Sequence, residues 1–218
     1  MPTQPYKIDG IRVPSVTTIL GRFKESGGLI HWAWEQGRDG LDYRQTRDDA
    51  ADAGKIAHAV VESTIRCKPF PIKPESPPAP AIEMINWKKA TSSFAAFQEW
   101  SQQTKLTPLE TEVSLTCRCH MVGGTLDAMM VNDKLAIGDW NTGNAVYIDH
   151  LCQLAAYGHL WTVNYPSRPI IGGYHLLRFS KVEGDFTHHF WANLDKAWRQ
   201  FELLREAFDL DKELKERL

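Results

Sequence analysis

The chain has 218 residues, 43% of them apolar and 11% aromatic, with 25 Lys and Arg against 27 Asp and Glu. That is enough for one domain with its own core, and the charged residues, 24% of the chain with interspersed signs, exclude wholesale disorder. A formal net charge of -2 excludes a histone-like coat on DNA, so a phosphate-bearing partner has to be held by a local patch or by a metal.

Met1 to Asp9 carries no apolar run of signal-peptide type, and no window approaches the ~20 uninterrupted apolar residues of a membrane span, so a cytoplasmic location is expected. Four cysteines, Cys67, Cys117, Cys119 and Cys152, are too few to staple a chain of this length, and no CxxC pair occurs. The cluster Cys117-Arg118-Cys119-His120 has a single residue between its thiols, a poor spacing for zinc, and no fourth ligand is evident. It reads as strand residues in a reduced protein.

In chain order, residues 13–20 read as an extended entry followed by a helix that Ser15 caps, with Val16, Ile19 and Leu20 on its apolar side and Gly27-Gly28 as its end. Residues 31–37, with Trp32 and Trp34, suggest a further helical turn, and 48–67 a longer helix through Ile56, Ala57, Val60, Val61 and Ile65. Residues 1–68 therefore read as a helical N-terminal region. Six of the twelve prolines fall between positions 69 and 80, which marks an extended connector. Helical spacing resumes over 81–103, where Phe94, Phe97 and Trp100 form a packing stripe.

After Pro108 the period changes to two. Residues 109–115, 121–131 and 134–140 read as three strands, the last two joined by a turn at Asn132-Asp133. Residues 147–161 form a helix with the stripe Tyr147, Leu151, Leu154, Gly158 and Trp161, followed by a strand over 169–179 and an optional one over 186–191. A closing helix starts near Asn193, with Leu194, Trp198, Phe201 and Leu204 inward and a solvated charged tail over 209–217. The expected class is α/β, a mixed sheet flanked by helices within a single domain spanning 1–218.

The chemistry-bearing segments are Gly123-Gly124-Thr125-Leu126-Asp127 and Gly138-Asp139-Trp140-Asn141-Thr142-Gly143. A tight hairpin brings Asp127 and Asp139 to the same end of the sheet, where two carboxylates repel unless a cation lies between them; Mg²⁺ or Mn²⁺ suits such hard oxygen ligands. Taken alone, each Asp is more readily read as a strand-end or turn residue. Glu112, with Glu110 two residues earlier on the same face, can add a third carboxylate from the preceding strand. Gln153 and Tyr157 lie four apart on the later helix, and Gly54 and His58 four apart on the earlier one.

Gly54-x-x-x-His58, Glu112, Gly124-Thr125-Leu126-Asp127, Asp139-Trp140-Asn141-Thr142-Gly143 and Gln153-x-x-x-Tyr157, in that order and spacing, resemble the PD-(D/E)XK nuclease superfamily, in particular its RecB-like, phage-type exonuclease branch. The opening Val13-Pro14-Ser15-Val16-Thr17-Thr18 is also similar to phage members. The resemblance implies a restriction-endonuclease-like core of order α-β-β-β-α-β, and a metal-dependent DNA exonuclease of phage or prophage type acting in recombination, repair or processing. It implies one or two Mg²⁺ or Mn²⁺ ions on Asp127, Asp139 and the backbone carbonyl of Trp140, with Glu112 and His58 completing or supporting the site. Gln153 and Tyr157 would position DNA or the attacking water. Some members carry a four-cysteine iron–sulfur cluster, but that needs three cysteines near the C-terminus and none follows Cys152, so no cluster is expected.

The family motif has a lysine two residues after the second acid, and this chain has Asn141. An amide hydrogen-bonds but supplies no charge, so weak or absent cutting is expected, and a catalytically silent DNA-binding or scaffold protein is the alternative. Asn141 reads first as a substitution made to trap an uncut complex, then as a natural inactive homologue, or as a site served by another cation such as Lys55, Lys134 or Arg178. The expected partner is linear or single-stranded DNA, with homo-oligomerisation or a recombination partner left open. Arg44, Arg47 and Lys55, with Arg22, Lys24 and Arg38, are candidate phosphate contacts in the N-terminal wall; a solvated face balanced by Asp39, Asp42, Asp48 and Asp49 is an equal reading. Trp32, Trp34 and Tyr43 read as base-stacking groups or as core and rim, and His188-His189 is given no function.

Overall fold

The computed structural model describes residues 5–24, 26–66, 81–143, 145–179 and 185–218. The proline-rich connector expected over 69–80, and Cys67, lie outside the described residues. The chain enters through a small hairpin, β1 (Lys7–Ile8) and β2 (Ile11–Arg12), turned by Asp9 and Gly10 with φ of 50° and 82°. Asp-Gly with both residues left-handed is the turn that matches strand twist, but strands this short leave no periodicity to read.

Helix α1 (Val16–Arg22) starts as expected: Ser15 Oγ accepts from Thr18 N–H at 3.0 Å, and Val16, Ile19 and Leu20 are buried. It stops at Arg22, and Gly27-Gly28, expected to end it, instead opens α2 (Gly27–Arg38). Glycine is cheap in a first turn, where backbone N–H groups lack helical partners in any case. Helix α3 (Tyr43–Ile65) begins earlier than expected because Asp42 accepts from Arg44 N–H at 2.9 Å, giving the helix a polar start. Helix α4 (Ala81–Gln103) follows the expected bounds.

The main sheet has five strands in the order β3 (Thr107–Cys117), β4 (Val122–Asn132), β5 (Lys134–Asn141), β6 (Tyr174–Phe179) and β7 (Phe186–Trp191). Only β5 and β6 pair in parallel, through the crossover helix α5 (Ile148–Asn164); the other neighbours are antiparallel. Helix α6 (Asp195–Lys215) closes the chain. Strand β6 is shorter than the expected 169–179 because Gly173, at φ 80°, turns the backbone just before it, while Gly172 sits so close to β5 that its N–H bonds Leu135 O at 2.7 Å. The charged tail is exposed as expected, except Asp211, which is half-buried and pairs with Arg22 of α1 at 2.9 Å, and the helix carrying it runs to Lys215.

Two cores form, one on each face of the sheet. Along β5, Leu135, Ile137 and Asp139 face α1, α5 and α6, whereas Trp140 turns to the opposite layer. There Phe97 and Trp100 of α4 meet Trp140 at 5.6 and 5.7 Å between ring centroids, so the aromatic stripe is packing. No helix among the described residues is long and apolar enough to cross a membrane.

Candidate metal centre

Pairing register brings the acids together. Strands β4 and β5 pair up to Ala128↔Gly138, so the next residues outward, Asp127 and Asp139, sit side by side on one face. On β3, the pairs Thr111↔Ala128 and Val113↔Leu126 bracket Glu112 and set it across from Asp127. Glu112 has φ of 55°, a left-handed conformation that costs on the order of 1–3 kcal/mol for a residue other than glycine. From α3, His58 places Nδ1 3.8 Å from Asp127 Oδ2. One ligand atom from each of His58, Glu112 and Asp127 falls within 4.8 Å of the others. Glu110 takes no part; it pairs with Arg168 at 2.9 Å.

Asp139 lies behind this trio, only 3% exposed, and accepts from Gln153 Nε2 at 3.2 Å. Burial pushes its carboxyl well above the usual aspartate range, and Asp127 beside it adds to the shift. Glu112 is pushed up to about 7, first by burial and then by Asp127 and Glu62, with His58 and Arg66 working against the rise. Tyr157, 5% exposed, is raised by burial and by the same acids. Crowded, desolvated carboxyls of this kind hold either a proton or a cation between them. Trp140 N–H donates to Asp127 Oδ2 at 2.8 Å. In an extended strand the N–H and C=O of one residue point to the same side, so the Trp140 carbonyl faces the acids too. Carboxylates, a carbonyl and one imidazole form an oxygen-rich donor set that fits a hard divalent ion.

The acids open into a cleft of about 290 Å³ whose walls include Tyr6, Ser15, Thr17, His58, Glu112 and Thr125. The sequence reading missed Tyr6, whose hydroxyl meets Thr125 Oγ1 at 2.7 Å. Gly123-Gly124 was the available signal, since paired glycines in a strand mark close approach. A Cβ on Gly123 would overlap the Tyr6 ring, and one on Gly124 would lie 2.8 Å from Tyr157 Cε1. Gly123 N–H also bonds Pro14 O at 3.0 Å, which ties the N-terminal segment to the rim.

Asn141 follows Asp139 by two residues but is turned into the next loop. Its Oδ1 accepts from Gly143 N–H at 2.7 Å and its Nδ2 donates to Ala145 O at 3.1 Å. This is an Asx turn, built around the amide. Of the cations considered as replacements for a lysine there, Lys55 pairs with Asp52 at 2.8 Å and Arg178 with Asp185 at 3.2 Å, while Lys134 opens β5 at the hairpin end. Of the candidate phosphate contacts, Arg44 lies over the Tyr43 ring at 5.6 Å and Arg47 pairs with Asp48 at 2.8 Å, both on exposed turns of α3.

No protein-family model matches the chain, and no curated protein matches its sequence. Among solved structures, a candidate exonuclease from Eubacterium rectale is similar at 10% identity and a TM-score of 0.43, over 88% of this chain and 73% of that one. A likeness that distant assigns no family.

Proposed function

We propose that this protein is a divalent-metal-dependent deoxyribonuclease of exonuclease type, with a restriction-endonuclease-like core of the PD-(D/E)XK superfamily, that hydrolyses phosphodiester bonds in linear or single-stranded DNA. The observation that carries the reading is the convergence of His58, Glu112, Asp127 and Asp139 from three strands and a helix where the β4–β5 pairing stops, beside an open cleft. Asp127, Asp139 and the Trp140 carbonyl would hold Mg²⁺ or Mn²⁺, with Glu112 and His58 beside them. A metal there supplies a bound water of lowered pKa and offsets charge on the scissile phosphate. Gln153 keeps Asp139 oriented, the Trp140 N–H does the same for Asp127, and the hydroxyls of Tyr6, Ser15 and Thr17 offer neutral donors along the cleft. The phage or prophage type, and a role in recombination or repair, rest on the sequence resemblance.

A second reading is favoured by Asn141. Its hydrogen bonds to Gly143 and Ala145 make it part of the loop, and a protein that binds DNA through the same cleft without turnover needs no lysine there. Cutting of end-labelled linear DNA with Mn²⁺, compared between the wild type, Asp127→Ala and Asn141→Lys, separates the two. Cutting by wild type or Asn141→Lys that Asp127→Ala abolishes supports the nuclease; no cutting by either, with DNA still bound, supports the silent binder.

A further inference from the structure

At the turn of the β3–β4 hairpin, away from Glu112 and Asp127 in mid-strand, a second group of side chains converges. Cys117 is the last residue of β3, Cys119 and His120 form the turn into β4, and His159 reaches them from α5. The sequence reading set Cys117-Arg118-Cys119-His120 aside for want of a fourth ligand; the fold supplies it from a helix some forty positions later, which no local spacing reveals.

Cys117 Sγ lies 3.6 Å from both His120 Nδ1 and His159 Nε2. Cys119 Sγ lies 3.2 Å from His120 Nδ1 and 3.9 Å from His159 Nε2. A tetrahedral ion with bonds of about 2.3 Å to sulfur and about 2.0–2.1 Å to nitrogen needs ligand atoms separated by roughly 3.3–3.8 Å, the range these contacts straddle. The two sulfurs are closer, at 2.8 Å, and have to part by roughly 1 Å on binding. Cys119 is exposed on a turn and can move, whereas Cys117 is fully buried.

The surroundings hold the imidazoles ready. His159 stacks flat on Trp198 of α6, at 4.0 Å and 10°, and His120 meets the same indole edge-on at 5.1 Å. With Nδ1 toward the thiols, His120 turns Nε2 toward the Glu202 carboxylate 3.7 Å away, the side on which a metal-bound histidine takes its carboxylate partner. The buried Arg205 donates from Nε to His120 O at 2.8 Å and pins the turn.

We infer that Cys117, Cys119, His120 and His159 form a structural zinc site that ties the β3–β4 turn to α5, beneath α6. Two thiolates and two imidazoles are borderline-soft donors that select Zn²⁺ over Mg²⁺, and four protein ligands leave no position for a substrate. The site stands whether or not the carboxylate centre cuts DNA.

The test is metal content of the purified full chain by inductively coupled plasma mass spectrometry after exhaustive dialysis against metal-free buffer, for wild type, Cys119→Ser, His159→Ala and Asp127→Ala/Asp139→Ala. One equivalent of zinc is expected in the wild type and in the double acid variant, with loss of most of it in the other two. Co²⁺ in place of zinc is expected to give the intense visible bands of tetrahedral thiolate coordination, and circular dichroism checks that each variant folds. Zinc absent from the wild type overturns the inference, as does zinc that survives Cys119→Ser and His159→Ala. An intact mass lacking two hydrogens under non-reducing conditions, with no metal, assigns the thiols to a disulfide and overturns it too. Zinc lost only in the double acid variant moves it to the carboxylate centre.

Discussion

Asp139→Asn separates the cost of the carboxylate centre from its use. Asp139 is 3% exposed, crowded by Asp127, and bonded to Gln153 through one oxygen, so in metal-free protein at pH 8 burying this carboxyl is a net burden. An amide there can still accept from Gln153 and can donate to Asp127, relieving both desolvation and repulsion. Asp139→Asn is expected to stabilise the metal-free protein at pH 8 by about 2 kcal/mol, a rise in Tm of roughly 4–8 °C for a chain of this size. The sign follows from linkage: a carboxyl whose folded pKa is raised keeps a proton that the unfolded chain has lost, so stability falls as pH rises through that pKa. The advantage of the variant should therefore shrink at pH 5. Mn²⁺ at a hundred times its Kd adds about 2.7 kcal/mol to the wild type and should add little to the variant. Thermal melts of both proteins in EDTA and in Mn²⁺, at pH 5 and pH 8, give all four comparisons. A variant less stable than wild type at pH 8 in EDTA, or stabilised as strongly by Mn²⁺, refutes the reasoning.

Glu112→Gln should remove a fall in stability between pH 4.5 and about 7, worth about 1–2 kcal/mol once solvent screening of this exposed-edge residue is allowed for; urea melts of variant and wild type in EDTA measure it as a difference, which cancels the opposite contribution of His188, pushed down to about 4 by burial. Asn141→Lys loses the bonds to Gly143 and Ala145, so it should cost about 1–3 kcal/mol in stability by denaturant melts, while any gain in Mn²⁺-dependent cutting should be on the order of 10²–10³. Gly124→Ala drives a methyl to within 2.8 Å of the Tyr157 ring and should destabilise by about 1–3 kcal/mol, with a changed tyrosine environment in near-ultraviolet circular dichroism; an unaffected melt would show that the ring yields freely. Arg22→Ala, which breaks an ion pair 44% exposed on the arginine side, should leave the same melts nearly unchanged.

Much of this was legible in the residues themselves. Alternation after Pro108, the Asn132-Asp133 turn and the stripes of α4, α5 and α6 are local patterns, and they specify three strands, a crossover helix, a strand and a closing helix. The twelve-residue interval from Asp127 to Asp139 across a tight hairpin already sets the two acids side by side, because pairing register is arithmetic once the turn is known. What local pattern could not carry was decided by packing. The distorted backbone at Glu112, the approach of Tyr6 to Gly123, the absorption of Asn141 into its loop and the pairing of Arg47 and Lys55 with neighbouring aspartates each depend on contacts between segments or on side-chain choices that sequence spacing leaves free. The thiol–imidazole cluster is the clearest case: three of its members sit within four residues, yet the fourth, His159, joins them only because α5 crosses back over the β3–β4 turn. Periodicity along the chain determines which face a residue occupies; which distant face it meets is fixed only when the layers close.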